Sequence, residues 1–168
     1  MLRMLASVPL FKDVDEYTLQ LLEPLFEPYS CTAGTIIFEQ GQMAHFLYLL
    51  LEGAVEIHYK PYDGPPLTVT NLEQGTIFGW SAAIGNAAYT SGATCREDCQ
   101  AIRISSRDLH KLCAKEPETG RIILDLLADS VSSRWEDAQS QIQVLLNTTV
   151  SAKRKAKSQM RKKRKESQ

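Results

Sequence analysis

The stretch AGTIIFEQGQMAHFLYLLLEGAVEI, residues 33–57, is built from short β-prone runs cut by glycine. TIIFEQ (35–40), HFLYLLLEG (45–53) and AVEIHYK (54–60) carry the β-branched and aromatic side chains that suit a pleated, half-buried surface. Gly34, Gly41 and Gly53 stand between them, where a tight turn asks for positive φ. The same grammar continues through PLTVTNL (66–72), TIFGW (76–80), SGATC (91–95) and QAIRI (100–104), with Gly64 and Gly75 as further breaks. YDGPP (62–66) reads as a hairpin turn. So many short strands in succession predict a mainly-β fold with flanking helices, its body an antiparallel, jelly-roll-like β-roll.

Helices flank this body on both sides. Asp13 with Glu16 three residues on approximates a capping box, Leu19, Leu21 and Leu22 follow as apolar positions, and Pro24 and Pro28 are expected to end that helix. Ser105 with Asp108 opens a second short helix, RDLHKLCAK. Pro117 suits a first turn, and a long helix over 118–147, about 45 Å at 1.5 Å per residue, is predicted after it. Leu124, Ala128, Val131, Trp135, Ala138, Ile142 and Leu145 are spaced 4, 3, 4, 3, 4, 3 along it. A heptad seam of this kind favours a partner helix, so a homodimer is expected; the alternative is an amphipathic helix lying on its own sheet.

Charge divides the chain. Residues 151–168, SAKRKAKSQMRKKRKESQ, hold nine Lys/Arg and one Glu, whereas the other 150 residues hold ten basic and nineteen acidic side chains. The tail has too few apolar residues to build a core and reads as a disordered basic arm, appended to a domain of residues 1–150. It reads as a contact for nucleic acid or an anionic membrane surface, as an arm that folds against the acidic body of its own or a neighbouring chain, or as a solvated tail with no partner; in the first case the lack of aromatic residues makes phosphate charge, not base stacking, the means. About twenty residues after Leu146 leave no room for a folded DNA-reading domain. No run approaches the roughly 18 apolar residues of a transmembrane segment, and the N-terminus lacks a signal-peptide core, so a cytoplasmic protein is expected. Cys31, Cys95, Cys99 and Cys113 read as small packing residues, since the single C-x3-C pair has no second pair or histidine to complete a metal site. His45, His58 and His110 fall on separate elements without a nucleophile or base pattern, and no enzyme is expected.

Four segments together, LFKDVDEYTLQLLEPLFEP, AGTIIFEQGQMAHFLYLLLEGAVEI, LEQGTIFGW and ATCREDCQAIRIS, resemble the cyclic-nucleotide-binding domain of the catabolite-activator and protein-kinase regulatory-subunit type. The likeness covers about residues 8–147 and matches that family's glycine frame at Gly34, Gly41, Gly53, Gly75 and Gly79. It implies a regulatory, small-molecule-sensing module with cyclic AMP or cyclic GMP as the ligand class, seated on the turn after Gly79. Phe78, Gly79, Trp80, Ser81, Ala82 and Ala83 would line the ligand site, the amides of Trp80 to Ala83 forming the anion seat, with Thr90 and Ser91 on the opposite wall. Two departures stand out. The resemblance places a ribose-binding glutamate where this chain has Trp80, and a phosphate-pairing arginine about where it has Thr90 and Ser91. Losing a charge-assisted partner costs about 1.5–3 kcal/mol, a weakening of some ten- to more than a hundredfold. Tight cyclic-nucleotide binding by the usual chemistry is therefore not expected. Arg96 and Arg103 are the nearest cations in sequence, and both read as solvated surface charges. Trp80 either stacks on a ligand or fills the pocket itself. The alternative to a sensor is an interaction module that binds no ligand and acts through its long helix and basic tail.

Overall fold

Alternation along each strand sorts the side chains of this protein into two apolar layers, one on either face of a shared sheet. The computed structural model describes residues 4–62 and 64–130. Helix α1 (Glu16–Leu22) leads into eight strands: β1 (Phe26–Cys31), β2 (Ile36–Phe38), β3 (Phe46–Glu52), β4 (Val55–Tyr59), β5 (Leu67–Leu72), β6 (Ile77–Phe78), β7 (Gly92–Cys95) and β8 (Cys99–Ser105). Helix α2 (Ser106–Lys115) follows, and residues 117–130 are helical. The strands form two antiparallel four-stranded sheets, ordered β1-β8-β3-β6 and β2-β7-β4-β5. This is the expected β-roll with flanking helices.

On β3, Leu47 and Leu49 point one way and Tyr48 and Leu50 the other. The first pair joins Ile77, Ile102 and Ile104 in a layer covered by helical residues, among them Leu22, Leu109, Leu112, Ile123 and Leu127. The second pair meets Phe38, Val55, Leu72, Phe78, Ala93, Cys95 and Cys99 between the two sheets. Each buried leucine, isoleucine, valine or phenylalanine among them contributes about 1.5–3 kcal/mol.

Several expectations shift. The N-cap of α1 is Asp15, whose carboxylate accepts from the Thr18 amide at 2.9 Å, rather than Asp13. Pro28 does not terminate a helix; it lies in β1, an edge strand paired only with β8, where a missing N–H is tolerated. Strands β4 and β5 pair as an antiparallel hairpin, as expected, and Gly34, Gly41, Gly53, Gly75 and Gly79 take positive φ. Cys31 and Cys95 are not merely packing residues: they are joined in a disulfide across 64 residues of sequence. Helix 117–130 turns Ile123 and Leu127 into the core, while Leu124 and Ala128 of the expected seam are exposed. Val131, Trp135, Ala138, Ile142, Leu145 and the basic tail lie outside the described residues. Among the described residues, no helix is long and apolar enough to cross a membrane.

Candidate functional site

Strand β6 ends at Phe78, and Gly79 turns the chain with a φ of 80°. A Cβ there would lie 2.8 Å from the Phe46 carbonyl oxygen and 3.1 Å from Cδ2 of Tyr48, so only glycine lets the turn press against β3. Trp80–Ala82 then form a single 3₁₀ turn. The amides of Ala82 and Ala83 donate back to the carbonyls of Gly79 and Trp80, at 3.1 and 2.9 Å. Two of the four amides expected to face an anion are thus committed to the turn itself. Ser81 is buried, and its hydroxyl accepts from the Thr90 amide at 3.3 Å, which brings the two expected walls together. Thr90 is exposed and Ser91 half-buried as the chain enters β7.

Behind Gly79 the roll is filled with rings. Phe78 stacks on Tyr48 at 5.0 Å, Phe38 stacks on Tyr89 at 3.8 Å, and Tyr29 meets Tyr48 edge-on at 5.4 Å. The Tyr89 hydroxyl donates to the Phe46 carbonyl (2.7 Å) and accepts from the Phe46 amide (3.0 Å), fixing its ring beside the turn. Burial pushes the Tyr48 phenol far above its usual range, the Tyr89 phenol adds to the shift, and Arg103 opposes it. Trp80 is not among these rings. It packs with the helical layer on the other face of the sheet.

Arg103 differs from its expected place at the solvated surface. It sits opposite Tyr48 in register, on the inner face of β8, with its side chain 26% exposed. Its guanidinium lies 4.0 Å from the Phe46 ring centre and 5.0 Å from that of Tyr29, and Nε donates to Glu27 at 2.7 Å. Burial works against its charge, but Glu27 and the Tyr48 hydroxyl outweigh that and hold its pKa above the ordinary guanidinium value. This cation is therefore already paired and stacked. Arg96 stays at the surface, bonded to Glu56 at 2.7 Å.

Two further residues touch the turn. Ser106 Oγ donates to the Ala82 carbonyl at 2.8 Å, and His110 Nε2 lies 3.0 Å from the Ala83 carbonyl oxygen. Both come from α2, one turn apart on the same face, and no motif in the sequence marks that spacing. A groove of about 630 Å³, bounded by Glu27, His45, Phe46, Asn86, Ser105 and Arg107, opens beside the Arg103–Glu27 pair. It includes none of the residues expected to bind ligand. The sulfur atoms of Cys31, Cys95 and Cys99 lie within 4.8 Å of one another at the end of the ring-filled layer.

Comparison with known proteins agrees with this architecture. The family model of the cyclic nucleotide-binding domain matches residues 29–116. Over 124 residues the chain is 25% identical to the CRP-like cAMP-activated global transcriptional regulator of Mycobacterium tuberculosis, covering 74% of this chain and 55% of that protein. It thus spans about half the length of that relative. A solved protein from Geobacter metallireducens, described as cyclic nucleotide-binding, is 27% identical at a TM-score of 0.68, over 76% of this chain and 92% of the other. A cyclic nucleotide-binding domain from Methylobacillus flagellatus shares the fold at a TM-score of 0.72 and 19% identity, over 84% of this chain and 79% of that one. With more than half of its residues matched, on a roll whose strands and glycine turn run in the order just described, the chain belongs to the cyclic nucleotide-binding domain family.

Proposed function

We propose that this chain is a regulatory module with a divergent phosphate-binding loop, which does not take cyclic AMP or cyclic GMP tightly and passes its state on through the helix that begins at 117. The observation that carries the reading is the occupation of the roll behind Gly79. Tyr48 and Tyr89 stand against the turn, and the inward-facing Arg103 is engaged by Glu27 and two rings. A cyclic phosphate entering there would have to displace stacked rings, and it would meet a single short turn without a free charge partner. The relative matched over 124 residues is a transcriptional regulator, in keeping with a regulatory role. Titration calorimetry with each cyclic nucleotide tests the proposal. No heat of binding is expected at micromolar ligand, and micromolar affinity for either overturns it.

Transmission rests on α2. Ser106 and His110 hold the carbonyls of Ala82 and Ala83, and Cys113, next along the same stripe of α2, meets the following helix so closely that a Cβ on Gly120 would fall 3.0 Å from its Cα. A shift of the turn therefore has a packed route to the helix bearing Leu124 and Ala128. Their exposure on the face away from the core supports the pairing of two copies through the seam.

The groove beside Arg103 favours a second reading, a sensor whose effector binds at the mouth of the roll. Its volume falls within the roughly 300–1,000 Å³ of small-molecule sites. A thermal-shift screen of cyclic mononucleotides and dinucleotides tests it: a hit that Arg107→Ala removes places the effector there. The basic arm, 151–168, is proposed to contact phosphate-rich surfaces, and comparing retention on DNA at low and raised salt with a chain ending at Val150 tests that contact.

A further inference from the structure

Three cysteines from three strands converge where the ring-filled layer ends. Cys31 closes β1, Cys95 closes β7 and Cys99 opens β8. Cys31 and Cys95 form a disulfide that joins the two sheets, while Cys99 is a buried free thiol whose sulfur lies within 4.8 Å of both. Cys99 is also the direct antiparallel partner of Cys31. Partners of that kind have Cα atoms about 4.5–5.5 Å apart, inside the range of about 4.4–6.8 Å that a disulfide spans. The Cα atoms of Cys31 and Cys95 are 7.0 Å apart, just beyond that range. Cys31 thus has two sulfurs within reach and can bond to only one.

The third sulfur is held in place. Its thiol donates to the carbonyls of Glu97 and Ala54, at 3.1 and 3.3 Å, and the Arg96 amide shares the Ala54 carbonyl at 2.8 Å. Gly53, with a φ of 89°, makes the space: a Cβ there would come 2.9 Å from the Cys99 sulfur and would overlap the Asp98 carbonyl. Burial pushes the Cys99 thiol up and keeps it protonated at rest.

We propose that Cys31, Cys95 and Cys99 form a thiol–disulfide exchange site with two alternative pairings. Cys99 gives up its proton to solvent, and its thiolate attacks the sulfur of Cys31. The Cys31–Cys99 bond forms as the Cys31–Cys95 bond breaks, and Cys95 leaves as a thiolate that takes up a proton. Sulfur oxidation is conserved, so no oxidant or reductant is consumed. The first pairing staples the two sheets together. The second lies within one sheet and releases β7, the strand that leads from Thr90 into the roll.

Peptide mapping by mass spectrometry of the oxidised full chain, alkylated after incubation with a trace of glutathione as exchange catalyst, reads the pairings directly. Linked peptides for both Cys31–Cys95 and Cys31–Cys99 are expected, with Cys113, in the helical layer, alkylated throughout. A single Cys31–Cys95 species with Cys99 fully alkylated overturns the proposal. In Cys95→Ser, checked by circular dichroism to be folded, oxidised glutathione should convert the chain mainly to the Cys31–Cys99 form. Recovery of both thiols alkylated from that folded variant overturns it equally.

Discussion

At Gly79 a missing side chain does two jobs at once. It permits the left-handed φ of 80°, and it leaves room for the Phe46 carbonyl oxygen, which a Cβ would approach to 2.8 Å. Any other residue meets both penalties, and the close atom is backbone, which cannot swing aside. Gly79→Ala should therefore destabilise the domain by about 1–3 kcal/mol, read as a lowered midpoint in urea or thermal unfolding. An unchanged midpoint would mean that the turn yields more easily than its packing implies. Arg103 teaches the complementary lesson. Its place on the inner face follows from sharing the alternation of Cys99 and Ala101, a phase fixed only once β8 is registered against Tyr48 of β3. Without that register, a lone cation in a strand reads as solvated.

Element by element, periodicity carried most of the fold. The seven glycine-punctuated runs each became a strand, because turn glycines and alternating apolar residues are local signals. Strand β1 was hidden behind Pro28, since a proline argues against a strand unless the edge position is known in advance. The Asp15 cap was two residues from the expected one because several acidic residues compete at that terminus. Contacts over long sequence separations left no local trace, and so the Cys31–Cys95 bond and the hold of Ser106 and His110 on the turn were not legible. The start of α2 was legible. Ser105 Oγ accepts from the Asp108 amide at 3.1 Å and donates to the Asp108 carboxylate at 2.7 Å. Ser105→Ala should cost about 0.5–2 kcal/mol of stability, measured by chemical denaturation, and Ser105→Asp should restore much of it.

For the molecule as a whole, two predictions follow from which faces are buried. Tyr29, Tyr48 and Tyr89 all have phenols raised above the usual value, with burial as the first cause in each. A group whose pKa is higher folded than unfolded stabilises fully below its unfolded pKa and loses that contribution as pH climbs toward the folded one. Stability should hold through neutral pH and then fall above about pH 10, where unfolded tyrosine ionises. Unfolding midpoints taken on either side of that pH check the fall, and a flat profile would contradict the burial of the phenols. The second prediction separates two neighbours on helix 117–130. Leu127 is 4% exposed and belongs to the helical layer, whereas Leu124 is 50% exposed and points elsewhere. A charge at Leu127 must enter the core, so Leu127→Glu should destabilise the fold itself. A charge at Leu124 meets no part of the described core, so Leu124→Glu should leave the unfolding midpoint near that of the parent. If the proposed dimer seam exists, the same substitution should weaken self-association at least tenfold, about 1.4 kcal/mol, because a buried leucine contributes about 1.5–3 kcal/mol and a carboxylate forfeits it. Light scattering with size exclusion distinguishes the cases: a parent chain already monomeric at micromolar concentration removes the seam, and a dimer indifferent to Leu124→Glu places its contacts elsewhere.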